Sequence, residues 1–218
     1  MLPTNFITQV VEKAYTAFSG VYLHTSKIHF AKLQPYIDRF IVSLDKENDS
    51  LLDIGCGPGL LLEYLSKLGY KKLLGTELSE AVLKEAATRV PSHMLLRQDF
   101  HQLNFQRKEF NAVVAINTLL YTNKQTLPSI LDRINHCMAD GGQLLIILPE
   151  GVGERLTEEV YTSPETKLQT QHAVYHSYYQ AEEIKSLLAE AEFNVVSLDK
   201  LTDLAFEHTL LIVTARKT

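Results

Sequence analysis

Leu51-Leu52-Asp53-Ile54-Gly55-Cys56-Gly57-Pro58-Gly59 is the stretch from which the fold of this chain is read. A short apolar run meets an aspartate, and glycines then stand at three alternate positions. An apolar run bounded by glycine reads as a buried strand. Leu61, Leu65 and Leu68 recur at helical spacing, so a helix opens just after Gly59. Strand, glycine turn and helix together form the part of an α/β fold where nucleotides bind. Without Cβ atoms the turn takes positive φ and lets its backbone approach a ligand, while the first N–H groups of the helix face an anionic group. The structural alternative is a plain tight turn.

The dinucleotide fingerprint requires G-x-G-x-x-G, and counting from Gly55 its third glycine would fall on Leu60. The spacing present is instead Asp53-x-Gly55-x-Gly57-x-Gly59. Further along, Lys72-Leu73-Leu74-Gly75-Thr76 reads as a second strand ending at Glu77. An acid there, roughly 20 residues beyond the glycines, is placed to accept hydrogen bonds from ribose hydroxyls. A third strand around His93 to Arg97 runs into Gln98-Asp99-Phe100, and a fourth, Phe110 to Ile116, ends in Asn117-Thr118-Leu119-Leu120-Tyr121.

The Asp53 to Gly59 spacing resembles the first motif of the class I S-adenosylmethionine-dependent methyltransferases, small-molecule type, and the resemblance extends over nearly all of residues 50–214. It implies that Asp53, Gly55, Cys56, Gly57 and Gly59 border the methionine moiety of S-adenosylmethionine. Glu77 and Leu78 would lie at the ribose, Asp99 would accept from the adenine amine, Phe100 would pack on the ring, and Asn117 would face the reacting end. A carboxylate suits an exocyclic amine, and an aromatic ring supplies a flat apolar face. Methyltransferases acting on nucleobase amines carry an Asn/Asp-Pro-Pro-aromatic run here, whereas no proline follows Asn117. The turn Ala139-Asp140-Gly141-Gly142 matches a late structural motif of the same family.

At 218 residues, 45% hydrophobic and 22% charged, the chain fits one globular domain with a substantial core. A net charge of −5 lacks the basic footprint of a nucleic-acid binder. Two cysteines, Cys56 and Cys137, make no disulfide framework, and no apolar run is long enough to span a bilayer. With no signal-peptide pattern, a cytoplasmic setting is expected, with a small-molecule partner and neither membrane nor nucleic acid.

Before the first strand, Phe6, Val10, Val11, Ala14 and Phe18 predict a helix ended by Gly20, and a second is expected from about Pro35, with Pro35 in its first turn. Residues 1–45 are read as a helical lid, with Tyr15, Tyr22, His24 and His29 as candidates for the pocket wall. Residues 50–148 form the expected cofactor half, and 149–218 a substrate-side flap, a helix and a C-terminal hairpin. Residues 150–177 show no clean periodicity: Pro149, Gly151, Gly153 and Pro164 interrupt it, and tyrosines and histidines crowd the later part. His172 and His176 lack an acidic or cysteine partner at a telling spacing, so no metal site is expected.

Two consecutive strands at Asn194–Leu198 and His208–Thr214 read as a hairpin, hence an antiparallel last strand. The expected fold is therefore an α/β, Rossmann-like three-layer sandwich: a mostly parallel seven-stranded sheet with an antiparallel last strand, plus an N-terminal helical lid. The expected reaction is methyl transfer from S-adenosylmethionine to a small molecule through an O, N, S or C nucleophile, leaving S-adenosylhomocysteine. His24, His29, His172 and His176 are available as general bases, but no catalytic residue is assigned. Two alternatives stay open: a binding module without turnover, and another transferase on the same fold.

Overall fold

The apolar runs of the sequence become the centre of a single sheet with helices on both faces. The computed structural model describes residues 2–163, 165–167, 169–203 and 208–218. The strands of the main sheet are β1 (Ser50–Ile54), β2 (Lys72–Glu77), β3 (Leu95–Arg97), β4 (Phe110–Ile116), β5 (Met138–Pro149), β8 (Phe193–Asp203) and β9 (His208–Lys217). They lie in the order β3-β2-β1-β4-β5-β9-β8. The pairs from β3 to β5 are parallel, and β9 is antiparallel to both β5 and β8. The order reverses between β1 and β4, which opens a crevice at their carboxyl ends.

Alternation along each strand divides the core. Val113 and Ala115 face α5 (Leu127–Cys137) and α6 (Ala181–Glu190), packing with Ile130, Leu131, Ile134, Ile184 and Leu188. Ala112 and Val114 face the opposite layer, α2 (Tyr22–Ile41) and α3 (Leu60–Lys67), with Ile37, Phe40, Leu62 and Leu65. Burying each large apolar side chain contributes roughly 1.5–3 kcal/mol, which explains why the two layers hold the sheet between them.

Two expectations are corrected. The second helix begins at Tyr22, so Pro35 lies in its interior rather than its first turn. An interior proline costs about 3 kcal/mol, yet Leu33, Ile37, Phe40 and Ile41 on both sides of it are buried and outweigh that cost. The Val21–His29 stretch expected between helices is thereby helical from Tyr22 onward. Residues 150–177 also fold regularly. β6 (Glu154–Thr162) and β7 (Gln169–Ser177) form a separate antiparallel hairpin. Pro164, one of the expected breakers, lies outside the described residues. The sequence pattern hid this hairpin because its polarity is inverted: Leu156 and Val160 are exposed, while Thr157, Glu159 and Tyr161 on the other side are half-buried.

The first helix, α1 (Thr4–Phe18), forms where its spacing predicts it. Ile7, Val11, Ala14 and Phe18 cover Val174 and Tyr175 of β7 in a third apolar cluster. The hairpin is tied down at its base as well, by Ser177 N donating to Leu120 O at 2.8 Å and Gly151 N to Tyr179 O at 3.1 Å. α1 and the hairpin thus come together above the crevice.

Candidate active site at the strand ends

The glycine turn is shaped by its neighbours. Gly55, Gly57 and Gly59 all have positive φ, at 67°, 52° and 80°. A Cβ on Gly55 would stand 2.3 Å from Thr118 Oγ1, which itself donates to Ile54 O at 2.9 Å. The start of β4's exit loop therefore lies directly on the turn after β1. Gly57 is more open, and the Tyr22 ring faces it. Gly59 caps α3 in the left-handed conformation against Ala86 of α4 (Glu80–Ala86).

Three acids line the crevice. Asp53 is buried, and burial first, then the Glu77 charge, pushes its carboxyl up to about 8. Glu77 accepts from Gly57 N at 3.1 Å and Ser79 N at 2.9 Å. Burial raises its carboxyl above the usual range despite those backbone bonds. Asp99 accepts from His101 N at 2.9 Å and meets His101 Nδ1 at 2.6 Å. Burial opposes its charge, but the His101 bonds prevail and hold it below the usual range. His101 Nε2 continues to Thr122 Oγ1 at 2.9 Å, and Thr8 of α1 reaches Asp99 Oδ2 at 3.4 Å.

Phe100 is buried and stacks on His101 with ring centroids 4.3 Å apart. Cys56 is buried, and burial, then Asp53 and Glu77, raises its thiol well above the ordinary value. Leu78 is half-buried, and its carbonyl accepts from Arg97 Nε at 3.2 Å. Asn117 takes a positive φ of 48°, and its Oδ1 is buried with no hydrogen-bond partner. A glycine cradle, an orphaned acceptor and carboxyls at the strand ends fit a ligand that carries hydroxyls and cationic groups.

Beside this crevice lies a cluster of aromatic and acidic groups. Tyr15, Tyr22 and Tyr121 pack edge to face at 5.2–5.4 Å, and Tyr22 meets Tyr161 at 5.6 Å. The hydroxyls of Tyr15 and Tyr121 share a short hydrogen bond. From the hairpin, Glu159 Oε1 lies 2.8 Å from His176 Nε2, and His176 Nδ1 lies 2.7 Å from Thr157 Oγ1. Burial is the main cause that raises all four phenols, and the Glu159 carboxylate adds to it at each.

Of the expected wall residues, Tyr15 and Tyr22 join this cluster, His24 is exposed on α2, and His29 is half-buried. His172 packs edge to face on Phe18 at 5.7 Å. Glu159, Thr118 and His101 were not singled out by the sequence. For Glu159 a signal existed: Thr157-x-Glu159-x-Tyr161 is a period of two, masked by the apolar Leu156 and Val160 on the opposite side of the strand. Among the described residues no group of His, Cys, Asp and Glu is arranged to hold a metal ion.

Comparison with known proteins agrees with this geometry. A family model described as a methyltransferase domain matches residues 26–198. The chain is 30% identical over 104 residues to the human eEF1A lysine and N-terminal methyltransferase, a match covering 46% of this chain and 15% of that protein. It is 36% identical over 95 residues to a Streptomyces venezuelae dTDP-3-amino-3,4,6-trideoxy-alpha-D-glucopyranose N,N-dimethyltransferase, covering 44% of this chain and 39% of the other. The chain thus spans well under half of either relative. Among solved structures it resembles the Burkholderia thailandensis 1,6-didemethyltoxoflavin-N1-methyltransferase, with a TM-score of 0.73 at 17% identity over 100% of this chain and 92% of the other. That likeness establishes a shared fold.

Proposed function

The chain belongs to the class I S-adenosylmethionine-dependent methyltransferases, and from that premise we propose that it methylates a small molecule enclosed beneath α1, α2 and the β6–β7 hairpin. The bound sulfonium would supply an electrophilic methyl group, so the protein's task is to position the acceptor and exclude water. Glu77 would hold the ribose hydroxyls through the lone pairs that Gly57 and Ser79 leave free. Asp99 and Phe100 would take the adenine, and Gly55 to Gly59 would cradle the methionine chain with Cys56 and Leu78 at its sides. Asp53 and the orphaned Oδ1 of Asn117 would receive its ammonium group.

The observation that carries the small-molecule reading is the roof. α1 buries four apolar side chains against β7 and its neighbours, and the half-buried rings of Tyr15, Tyr22, Tyr121 and Tyr161 lie beneath it. A folded protein would have to insert a single side chain or terminus beneath this roof, whereas a small molecule can be enclosed whole. The human relative named above supports a second reading, since its name places its acceptors on proteins, while the Streptomyces relative is named for an amino sugar. We assign the activity to the cytosol, in keeping with the two buried free thiols.

The test is incubation with methyl-labelled S-adenosylmethionine and a cell extract split into low-mass and protein fractions. Label in a low-mass product is the expected result. Label confined to protein would overturn the small-molecule reading, and no label in either fraction would favour a module that binds without turnover.

A further inference from the structure

Glu159 is an acid of the site region that the cofactor reading leaves unused. It lies on the inner side of β6, opposite His172 in the hairpin register and two positions from both Thr157 and Tyr161. Its side chain is 20% exposed, and His176 Nε2 lies 2.8 Å from its Oε1. Oε2 is buried and has no partner at full hydrogen-bond geometry, and the Tyr161 hydroxyl is the neighbouring donor that approaches the carboxylate. A carboxylate withdrawn from water with one oxygen unsatisfied is costly unless a donor or cation completes it.

The surroundings specify which kind of group can do so. Four tyrosine rings adjoin the region: Tyr121 lies 5.4 Å from the His176 ring and 5.4 Å from Tyr15, and Tyr161, two positions along β6 from Glu159, meets Tyr22 at 5.6 Å. Aromatic faces attract cations, most strongly where water is excluded. The same carboxylate repels an anionic acceptor. Tyr22 faces Gly57, whose N–H donates to Glu77, and its ring meets Tyr161 at 5.6 Å, so it stands between the cofactor acids and this cluster.

Building on the methyltransferase reading, we propose that the acceptor is an amine, bound as its ammonium form by Glu159 Oε2 and the rings of Tyr15, Tyr22, Tyr121 and Tyr161. Before transfer, one ammonium proton passes to Glu159, which frees the nitrogen lone pair. The new N–C bond then forms as the C–S bond of the sulfonium breaks, and that bonding pair remains on sulfur. His176, itself held by Thr157, orients the carboxylate and is a positioning residue.

Three probes of matched size separate the charge types: n-butylamine, n-butanol and sodium butyrate, titrated near neutral pH by ligand-observed NMR with and without S-adenosylhomocysteine. The amine is expected to bind about tenfold more tightly than the alcohol or the carboxylate. Glu159→Gln is expected to lower amine affinity about tenfold while leaving S-adenosylhomocysteine affinity within about twofold of wild type. Tyr161→Phe, which keeps the ring, should retain amine binding, and Tyr161→Leu should weaken it. Equal binding of the three probes, absence of amine binding at about 50 mM, or an unchanged Glu159→Gln variant would overturn the proposal. The wild-type series needs no variant to fold. A protein that binds the amine but not S-adenosylhomocysteine would instead refute the cofactor reading, so the two failures are distinct.

Discussion

Tyr22 stands over Gly57: a Cβ on the glycine would lie 3.6 Å from Cε1 of the tyrosine ring and 3.9 Å from its hydroxyl. The residue comes from the first turn of α2, the glycine from the turn after β1. The roof of the site and the floor of the cofactor crevice therefore meet at one point.

A methyl group at that point should act mainly on binding. Gly57→Ala keeps ordinary contact distances but forces a side chain into a left-handed backbone, at a cost of about 1–2 kcal/mol. It also fills the surface on which the ligand would rest. S-adenosylhomocysteine affinity by calorimetry should fall at least about tenfold, more than the loss of stability alone explains. Unchanged affinity would mean that the ligand does not approach Gly57.

Gly55→Ala should instead act on folding. Its Cβ would collide with Thr118 Oγ1 at 2.3 Å and Cγ2 at 2.6 Å, both part of a buried side chain. Urea denaturation should show a loss of about 2–4 kcal/mol, in line with overpacking plus left-handed strain. Thr118→Ala in the same chain should recover part of it, although the remaining Cβ is still only 3.0 Å away.

Asp53 makes a prediction about pH. Burial, then Glu77, raises its carboxyl to about 8 in the folded protein. Between the ordinary carboxylate range and that value the folded state holds the extra proton, so this group's contribution to stability declines as pH rises across the window. The melting temperature of the ligand-free protein should fall from pH 5 to about pH 8, and Asp53→Asn should fall less. Ligands bearing the methionine ammonium favour the ionised form. Their affinity should therefore rise with pH over the same window, with proton release detectable by calorimetry in buffers of different ionisation enthalpy. An affinity independent of pH would place the ammonium elsewhere.

Asp99→Ala should leave His101 without its acceptor at 2.6 Å while Thr122 still engages the far nitrogen. Losing one partner of a half-buried bonded pair costs about 1–3 kcal/mol, measurable by denaturation without ligand. If Asp99 also receives the adenine amine, adenosine-containing ligands should lose affinity beyond that change. A loss confined to stability would make the Asp99–His101 pair purely structural.

How much of this was legible beforehand follows from where each residue's constraint resides. Asp53, the three glycines and Glu77 sit at strand ends whose apolar runs announce themselves, and the last two strands revealed the antiparallel β9 by lacking a helix between them. The α2 start was misread because Pro35 is a strong local signal, while the burial that overrides it is a tertiary property of Leu33, Ile37 and Phe40. The hairpin escaped for a different reason. Pattern reading assumes that apolar faces turn inward, and here Leu156 and Val160 turn outward while Glu159 and Tyr161 face the site. His101 could be found only in three dimensions, since its partners Asp99 and Thr122 straddle β4.

The inverted hairpin also has a consequence for how such a site diversifies. In a two-stranded ribbon, slipping β6 by a single residue exchanges every inward side chain for its neighbour. The lining Thr157, Glu159, Tyr161 would become Leu156, Glu158, Val160, replacing the hydroxyl and phenol beside the acid with aliphatic side chains in one step. Insertions and deletions near the ends of β6, more than point substitutions, are thus the economical route by which relatives of this chain would exchange one class of acceptor for another.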